Sequence, residues 1–383
     1  MCLSVGDTAA MMRTSGSVRS AAGIGRLRLA NQHIVGSTWK RPLDSVRYML
    51  AMQGQDFPSV KWSIGIRVPG STEADVDAAF SAGNIVRSWP VRGTLHVTAA
   101  EDLPWMLDLL GARIVDVAAS RRAELKLDGR ALDRARELAI RRLEGGATAR
   151  RDDLLAAFDA GGVSTEGQRG YHLLFHLSVT GTLCLGPVQG KEQAFVLLRE
   201  WVKKPRRLER DQALGELARR YFVSHGPATL ADYSGWAKLT AKDARTGLAL
   251  ARKELVELAV DGATYFMAAS AEGLLATVEA QVSESVVALP GFDEYILGYK
   301  GRGAVLAPTH AGTIVPGGNG VFMPTIVVGG QVRGTWRRTP KAKETVVEVL
   351  PFERLSRAKR LAFSSAAESW GRFTGSTVRI TGP

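Results

Sequence analysis

Two glutamines stand one residue apart in "AMQGQDFPSV", residues 51–60: Gln53 and Gln55, followed at once by Asp56. On a helix, positions i and i+2 point roughly 200° apart and cannot act together; on an extended segment they share a face, about 7 Å apart. An amide oxygen accepts a hydrogen bond from water, and its dipole can turn toward developing positive charge. It is not a strong base, so such a pair suits chemistry that needs a placed water but no strong proton acceptor. The plainer reading is two polar loop residues. On an extended segment Asp56 points to the opposite face from the pair.

Other residues invite the same two-sided question. In "RSWPVRGTLHVT", strand alternation puts Arg92, Thr94 and His96 on one face and Val91, Leu95 and Val97 on the other. The polar face is either functional or a solvated hairpin with a buried, hydrogen-bonded His96. "VRGTWRRTPKAK" gathers Arg333, Arg337, Arg338, Lys341 and Lys343 around Trp336. Basic residues with an aromatic on a hairpin suit contact with a duplex backbone or groove; the alternative is an edge strand guarded by charge. "HLLFH" sets His172 and His176 at helical i, i+4 spacing, but the glutamate of a metalloprotease motif and a third ligand are both missing. Packing on a helix face is the better reading, and no metal site is expected. Asp293 and Glu294 in "GFDEYILGY" are paired carboxylates for which a structural hydrogen-bonding role outweighs acid–base work. "GGNG", residues 317–320, is too short and wrongly placed for a phosphate loop.

The chain has 383 residues, enough for two or three domains, with 45% hydrophobic and 23% charged residues. No apolar run approaches eighteen residues, which argues against a membrane span. The first twenty residues contain Asp7 and no continuous apolar core, and read as a loose tail, not a signal peptide. The cysteines are Cys2 and Cys184, one in the tail and one in an apolar run, so no disulfide framework is expected and a reducing cytoplasm suits the chain. Fifty basic against 38 acidic residues give a net charge of +12, an excess that attracts polyanions.

The elements that must carry these residues follow from periodicity. "GRLRLANQHI", "PLDSVRYMLAM" and "STEADVDAAFSAG" have helical spacing, and the last opens on a Ser/Thr cap. "NIVRSWPVRGTLHVT" then reads as paired strands. The order helix, helix, helix, hairpin returns over residues 131–200 and again over 211–269, where "VDGATYF" supplies an Asp-Gly turn. Beyond residue 285 short strands with Gly and Pro punctuation take over, closed by the helix "RAKRLAFSSAAESWGRF". The expected fold is mainly α with α+β: three tandem winged helices and a small C-terminal β-barrel or sheet. The boundaries are a disordered tail over 1–22, winged helices over 23–125, 126–205 and 206–280, and a β domain over 281–383.

With the elements in place, four phrases carry a resemblance. "RSWPVRGTLHVTAAEDLPWML", "YFVSHGPATLADYSGW", "LPGFDEYILGYKGR" and "VRGTWRR" are similar to the bacterial winged-helix proteins of the AlkZ and YcaQ type, from about residue 24 to 373. The resemblance implies three winged helices around a concave basic channel, and DNA glycosylase activity on alkylated purines and, in some members, on bulky or cross-linked guanine adducts. The family's motif, Gln–apolar–Gln in one branch and Gln–aromatic–Asp in the other, falls after the second N-terminal helix. Here that place holds Gln53-Gly54-Gln55. The glycine departs from the pattern and is expected to loosen the backbone under the site.

The chemistry is consistent with amides. An N7-alkylated guanine is already cationic and leaves as a neutral base, so no general acid is needed for departure, unlike ordinary glycoside hydrolysis. Water must be placed and an oxocarbenium-like sugar stabilised. The resulting expectation is a monofunctional, cofactor-free glycosylase with Gln53 and Gln55 catalytic, and Arg92, Thr94, His96, Arg333, Arg337, Arg338 and Lys341 along the DNA. Its partner is double-stranded DNA carrying alkylated bases; the protein is a monomer in the cytoplasm, associated with the nucleoid. The competing reading is a non-catalytic winged-helix DNA-binding protein or regulator.

Overall fold

A computed structural model describes residues 20–382; the N-terminal tail and Cys2 lie outside the described residues. The helix Pro42–Met49 starts with proline in its first turn, where the missing N–H is no loss. It runs into strand β1 (Ala51–Gln53), then the helices Phe57–Arg67 and Glu73–Ser81, the latter opened by a capping box between Thr72 and Asp75. A hairpin follows, β2 (Ile85–Val91) and β3 (Thr94–Ala99). Arg92 and Gly93 between them both have positive φ, +57° and +71°, as a tight two-residue hairpin turn requires. β1 pairs antiparallel with β3 and sets Gln53 opposite His96.

The same order of elements recurs. Helices Gly129–Leu143, Arg151–Ala160 and Arg169–Val179 precede β4 (Leu183–Gln189) and β5 (Glu192–Leu197), and Ala149 bridges to Phe195 in the place β1 holds in the first block. Helices Arg210–His225, Leu230–Ala237 and Ala241–Ala251 precede β6 (Leu255–Val260) and β7 (Ala263–Ala268), with Ala228 bridging to Phe266. Asp261-Gly262 makes the turn between β6 and β7, both residues at positive φ.

β8 (Val286–Leu289), β9 (Thr325–Val328), β10 (Gln331–Pro340) and β11 (Thr345–Pro351) then form a sheet, with Gly329-Gly330 turning β9 into β10. The helix Arg357–Thr374 is not the closing element. After it β12 (Val378–Thr381) returns parallel to β11, giving the order β12-β11-β10-β9-β8. Its apolar signal, Val378 and Ile380 alone, is too short to read from the sequence.

The blocks are not beads on a string. β2 pairs with β4 at Arg87 and Leu185, so the first two hairpins share one five-stranded sheet, β1-β3-β2-β4-β5. One hydrophobic cluster joins Trp89 and Val91 of the first hairpin to Phe175 of the second block and to Tyr221 and Trp236 of the third. A second joins Val46, Trp62 and Phe80 to Trp336, Phe363 and Trp370 of the C-terminal part. The helix Ala21–Asn31 packs chiefly with the helix Ala271–Glu284 and the C-terminal sheet, and meets the block that follows it in sequence through the Tyr48 hydroxyl at Asn31 and Arg67 at Gln32. Among the described residues no helix is long and apolar enough to cross a membrane.

Candidate active site

Beyond β1 the chain keeps to the edge of β3 for two more residues. Gly54 N–H donates to the Leu95 carbonyl at 2.7 Å, but the Gly54 carbonyl is taken by Arg87 Nε at 2.7 Å. The Leu95 N–H therefore lacks the main-chain partner a regular ladder would give it, and donates to Gln55 Oε1 at 3.3 Å. The Gln55 side chain completes the sheet edge while the residue stays exposed. Gly54 is consequently held at both of its backbone groups, not loosened as the sequence suggested. A Cβ there would meet its nearest neighbour, Arg87 Nε, at 3.4 Å, an ordinary contact.

Gln53 is buried, 6% exposed, and its orientation is fixed by chemistry. Arg92 Nη2 lies 3.1 Å from Gln53 Oε1, and Thr94 Oγ1 lies 3.4 Å from it. A guanidinium only donates, so the atom facing it must be the amide oxygen. The Gln53 NH2 has no protein partner among the described residues and is not among the buried polar atoms left unpaired, so it reaches solvent. The two glutamines are thus unlike: one offers donors, the other an oxygen with a lone pair to spare.

Arg92, Thr94 and His96 do meet at Gln53, but not as one exposed strand face. Arg92 is a turn residue, and its Nη1 donates to the Trp236 carbonyl at 2.7 Å. His96 is wholly buried, which rules out the DNA contact expected of it. Burial and the nearby Arg92 charge push its imidazole down to about 3, so it is neutral at ordinary pH. Its Nδ1 faces the Thr94 carbonyl at 2.8 Å and must carry the proton; Nε2 is then the acceptor 3.4 Å from Arg92 Nη2.

Behind Gln53 stands a group that the sequence left as a structural carboxylate. Glu294 is 1% exposed; its Oε1 accepts from the Gln53 main-chain N–H at 2.8 Å, and its Oε2 lies 3.0 Å from Trp236 Nε1 and 3.3 Å from His225 Nε2. Burial alone pushes a carboxyl up, but the His225 hydrogen bond and attraction and the charge of Arg92 outweigh it and hold Glu294 at about 2. Neighbouring Asp293 is structural, as expected: it pairs with buried Arg67 at 2.9 and 3.1 Å and caps Tyr295. Only one signal marked Glu294 beforehand: a carboxylate in the apolar run "EYIL" must be paired if it is buried.

Arg87 was likewise missed. It braces Gly54 and reaches Gln193 Oε1 of the second hairpin at 3.2 Å, and burial lowers its guanidinium to about 10. Asp56 does not continue the strand; it heads the helix Phe57–Arg67, accepts from Ser59, and lies 3.8 Å from Arg338.

That contact ties the basic hairpin to the glutamine motif. Successive residues of β10 alternate: Arg338 turns inward, with its guanidinium 5.6 Å from the Trp370 ring, while Arg337 is exposed opposite Glu348. Arg333, Lys341 and Lys343 are exposed, and Trp336 is fully buried. His172 and His176 lie on the helix Arg169–Val179, and among the described residues no group of three or more metal-ligating side chains is assembled. Cys184 is buried, which pushes its thiol up and keeps it unreactive.

The chain resembles known proteins over most of its length. A family model for DNA glycosylase AlkZ-like proteins matches residues 46–373. The chain is 26% identical over 363 residues to the interstrand DNA cross-link repair glycosylase of Streptomyces sahachiroi, covering 91% of this chain and 95% of that protein. The solved structure of Streptomyces sahachiroi DNA glycosylase AlkZ superposes with a TM-score of 0.78 at 25% identity, over 94% of this chain and 99% of the other.

Proposed function

The chain belongs to the AlkZ-like family of DNA glycosylases, and from that premise we propose that it removes N7- or N3-alkylated purines, bulky or cross-linked guanine adducts included, by placing a water for hydrolysis of the N-glycosidic bond. The three repeated blocks act as winged helices that hold double-stranded DNA, and no metal or cofactor takes part.

The observation that carries this reading is the unlike pair of glutamines. Gln55 keeps an exposed carbonyl lone pair for the attacking water. Gln53 turns its NH2 outward, where it can donate to an acceptor on the departing base. Neither group needs to move a proton before the bond breaks, because an N7-alkylated guanine departs neutral. The positive charge passes to the sugar, where oriented amide dipoles stabilise it. Thr94, Arg333, Arg337, Arg338 and Lys341 are proposed to lie along the DNA; His96 acts from behind Gln53.

The test is incubation with duplex DNA carrying N7-methylguanine, followed by hot alkali. A glycosylase leaves abasic sites that break. A protein that binds this DNA and leaves it uncut under alkali is a regulator, and the reading fails.

A further inference from the structure

Gln53 is held at both ends by residues far away in sequence. Its main-chain N–H donates to Glu294 Oε1 at 2.8 Å; its side-chain oxygen lies 3.1 Å from Arg92 Nη2. Trp236 is held at both ends by the same two residues: its carbonyl accepts from Arg92 at 2.7 Å and its indole N–H lies 3.0 Å from Glu294 Oε2. Gln53, Arg92, Trp236 and Glu294 therefore close a ring of hydrogen bonds. It draws on the first block, the third block and the C-terminal part.

We infer that Glu294, with Arg92 and Trp236, is a positioning residue for Gln53: the ring fixes which end of the carboxamide meets the DNA. Each member does something its near-isostere cannot. Glu294 accepts on both oxygens; a glutamine there would put an NH2 against either the Gln53 N–H or the Trp236 N–H, and one bond of the ring would become a clash of donors. Arg92 spans two carbonyl oxygens with one planar fork, which a lysine ammonium cannot do. With the ring broken, Gln53 is free to flip and present its oxygen where the base needs a donor. The fold would survive that flip; the chemistry would not. This inference rests on the reading in which Gln53 acts on the adduct.

The experiment is a double-mutant cycle on single-turnover excision of N7-methylguanine, at saturating enzyme, joined to NMR of the full chain. Glu294→Gln is expected to lower excision about 10–100-fold in the wild-type background. In a Gln53→Ala background it should lower excision less than about threefold, because the two act as one unit. DNA affinity should stay unchanged in both. Arg92→Lys should repeat the pattern, and it serves as the test if Glu294→Gln does not fold. The Gln53 side-chain NH2 signals, assigned by their loss in Gln53→Ala, should move in either variant. An equal loss in both backgrounds, or full activity of a folded variant, overturns the inference. A wild-type protein that excises nothing sinks the functional reading instead. NMR then decides alone: Gln53 NH2 signals unmoved by the substitutions overturn the ring's role, and moved signals support it.

Discussion

The glutamine motif and the β10–β11 hairpin carry polar groups in opposite ways. Behind Gln53, Glu294 and His96 are buried and have named partners, and the half-buried Arg92 is held by two carbonyl oxygens. On the hairpin, Arg333, Arg337 and Lys341 stand in solvent. On the proposed function, the difference follows from what each would have to supply. Orientation at a reacting centre requires side chains that cannot swing, hence burial and paired hydrogen bonds. Attraction to a polyanion requires only charge within reach, and a flexible exposed cation supplies that at little cost in entropy.

The contrast predicts where substitutions will hurt and in which assay. The largest effect should be on stability, at the ion pair beneath the site. Arg67→Ala leaves Asp293 charged and without its partner, which should cost about 3–5 kcal/mol in urea unfolding. Arg207→Ala, at an exposed pair with Asp108, should leave the urea midpoint where it was. Similar losses for the two would break the comparison.

Next comes excision. Gln55→Ala or Gln53→Ala should each slow it by about 10²–10³ with DNA affinity nearly intact, and the double variant should be little worse than the poorer single. A matching fall in affinity would move the glutamines from the chemistry to the binding surface.

The interior should respond to pH where the hairpin does not. Unfolded, His96 takes its proton near pH 6.5; folded, only near pH 3. Between those values the unfolded state binds the extra proton, so stability falls as pH falls, by up to ~1.4 kcal/mol per unit from this residue. Urea melts at pH 7, 6 and 5 would show it, and a flat profile would mean that His96 is not sequestered.

Salt should read the hairpin. Arg337→Ala should reduce the slope of log affinity against log salt by about 0.9 if it meets one phosphate. Arg338→Ala should change it less, because that side chain is already drawn to Asp56 and Trp370. Asp56→Asn should have the smallest effect on excision of the series, since the residue heads a helix away from both amides. A loss there larger than that of Gln55→Ala would make Asp56 the base.

Local pattern made the extended course of the chain at Gln53, the hairpin turns and the triple recurrence of elements readable in advance, because each depends on residues close together in the chain. What was missed depends on long-range contact. Glu294 lies 241 positions from the backbone N–H it receives. Arg92 looked like a strand residue, since alternation cannot show a left-handed turn at a non-glycine position. Alternation puts His96 on the face with Thr94, but it does not show that the residue is wholly buried. The final strand β12 is too short to announce itself.

Arg87 sits at the seam where the first two hairpins join into one sheet, and its one side chain touches Gly54 on one flank and Gln193 on the other. The protein is therefore a poor subject for dissection. A fragment ending near residue 125 would keep every residue of the motif and lose the strand that presses Arg87 against it. Recombining the first block of one relative with the second block of another meets the same obstacle, because the join runs through the side chain that holds the Gly54 carbonyl. Shuffled chimeras would keep their geometry only if the crossover carried positions 87 and 193 together.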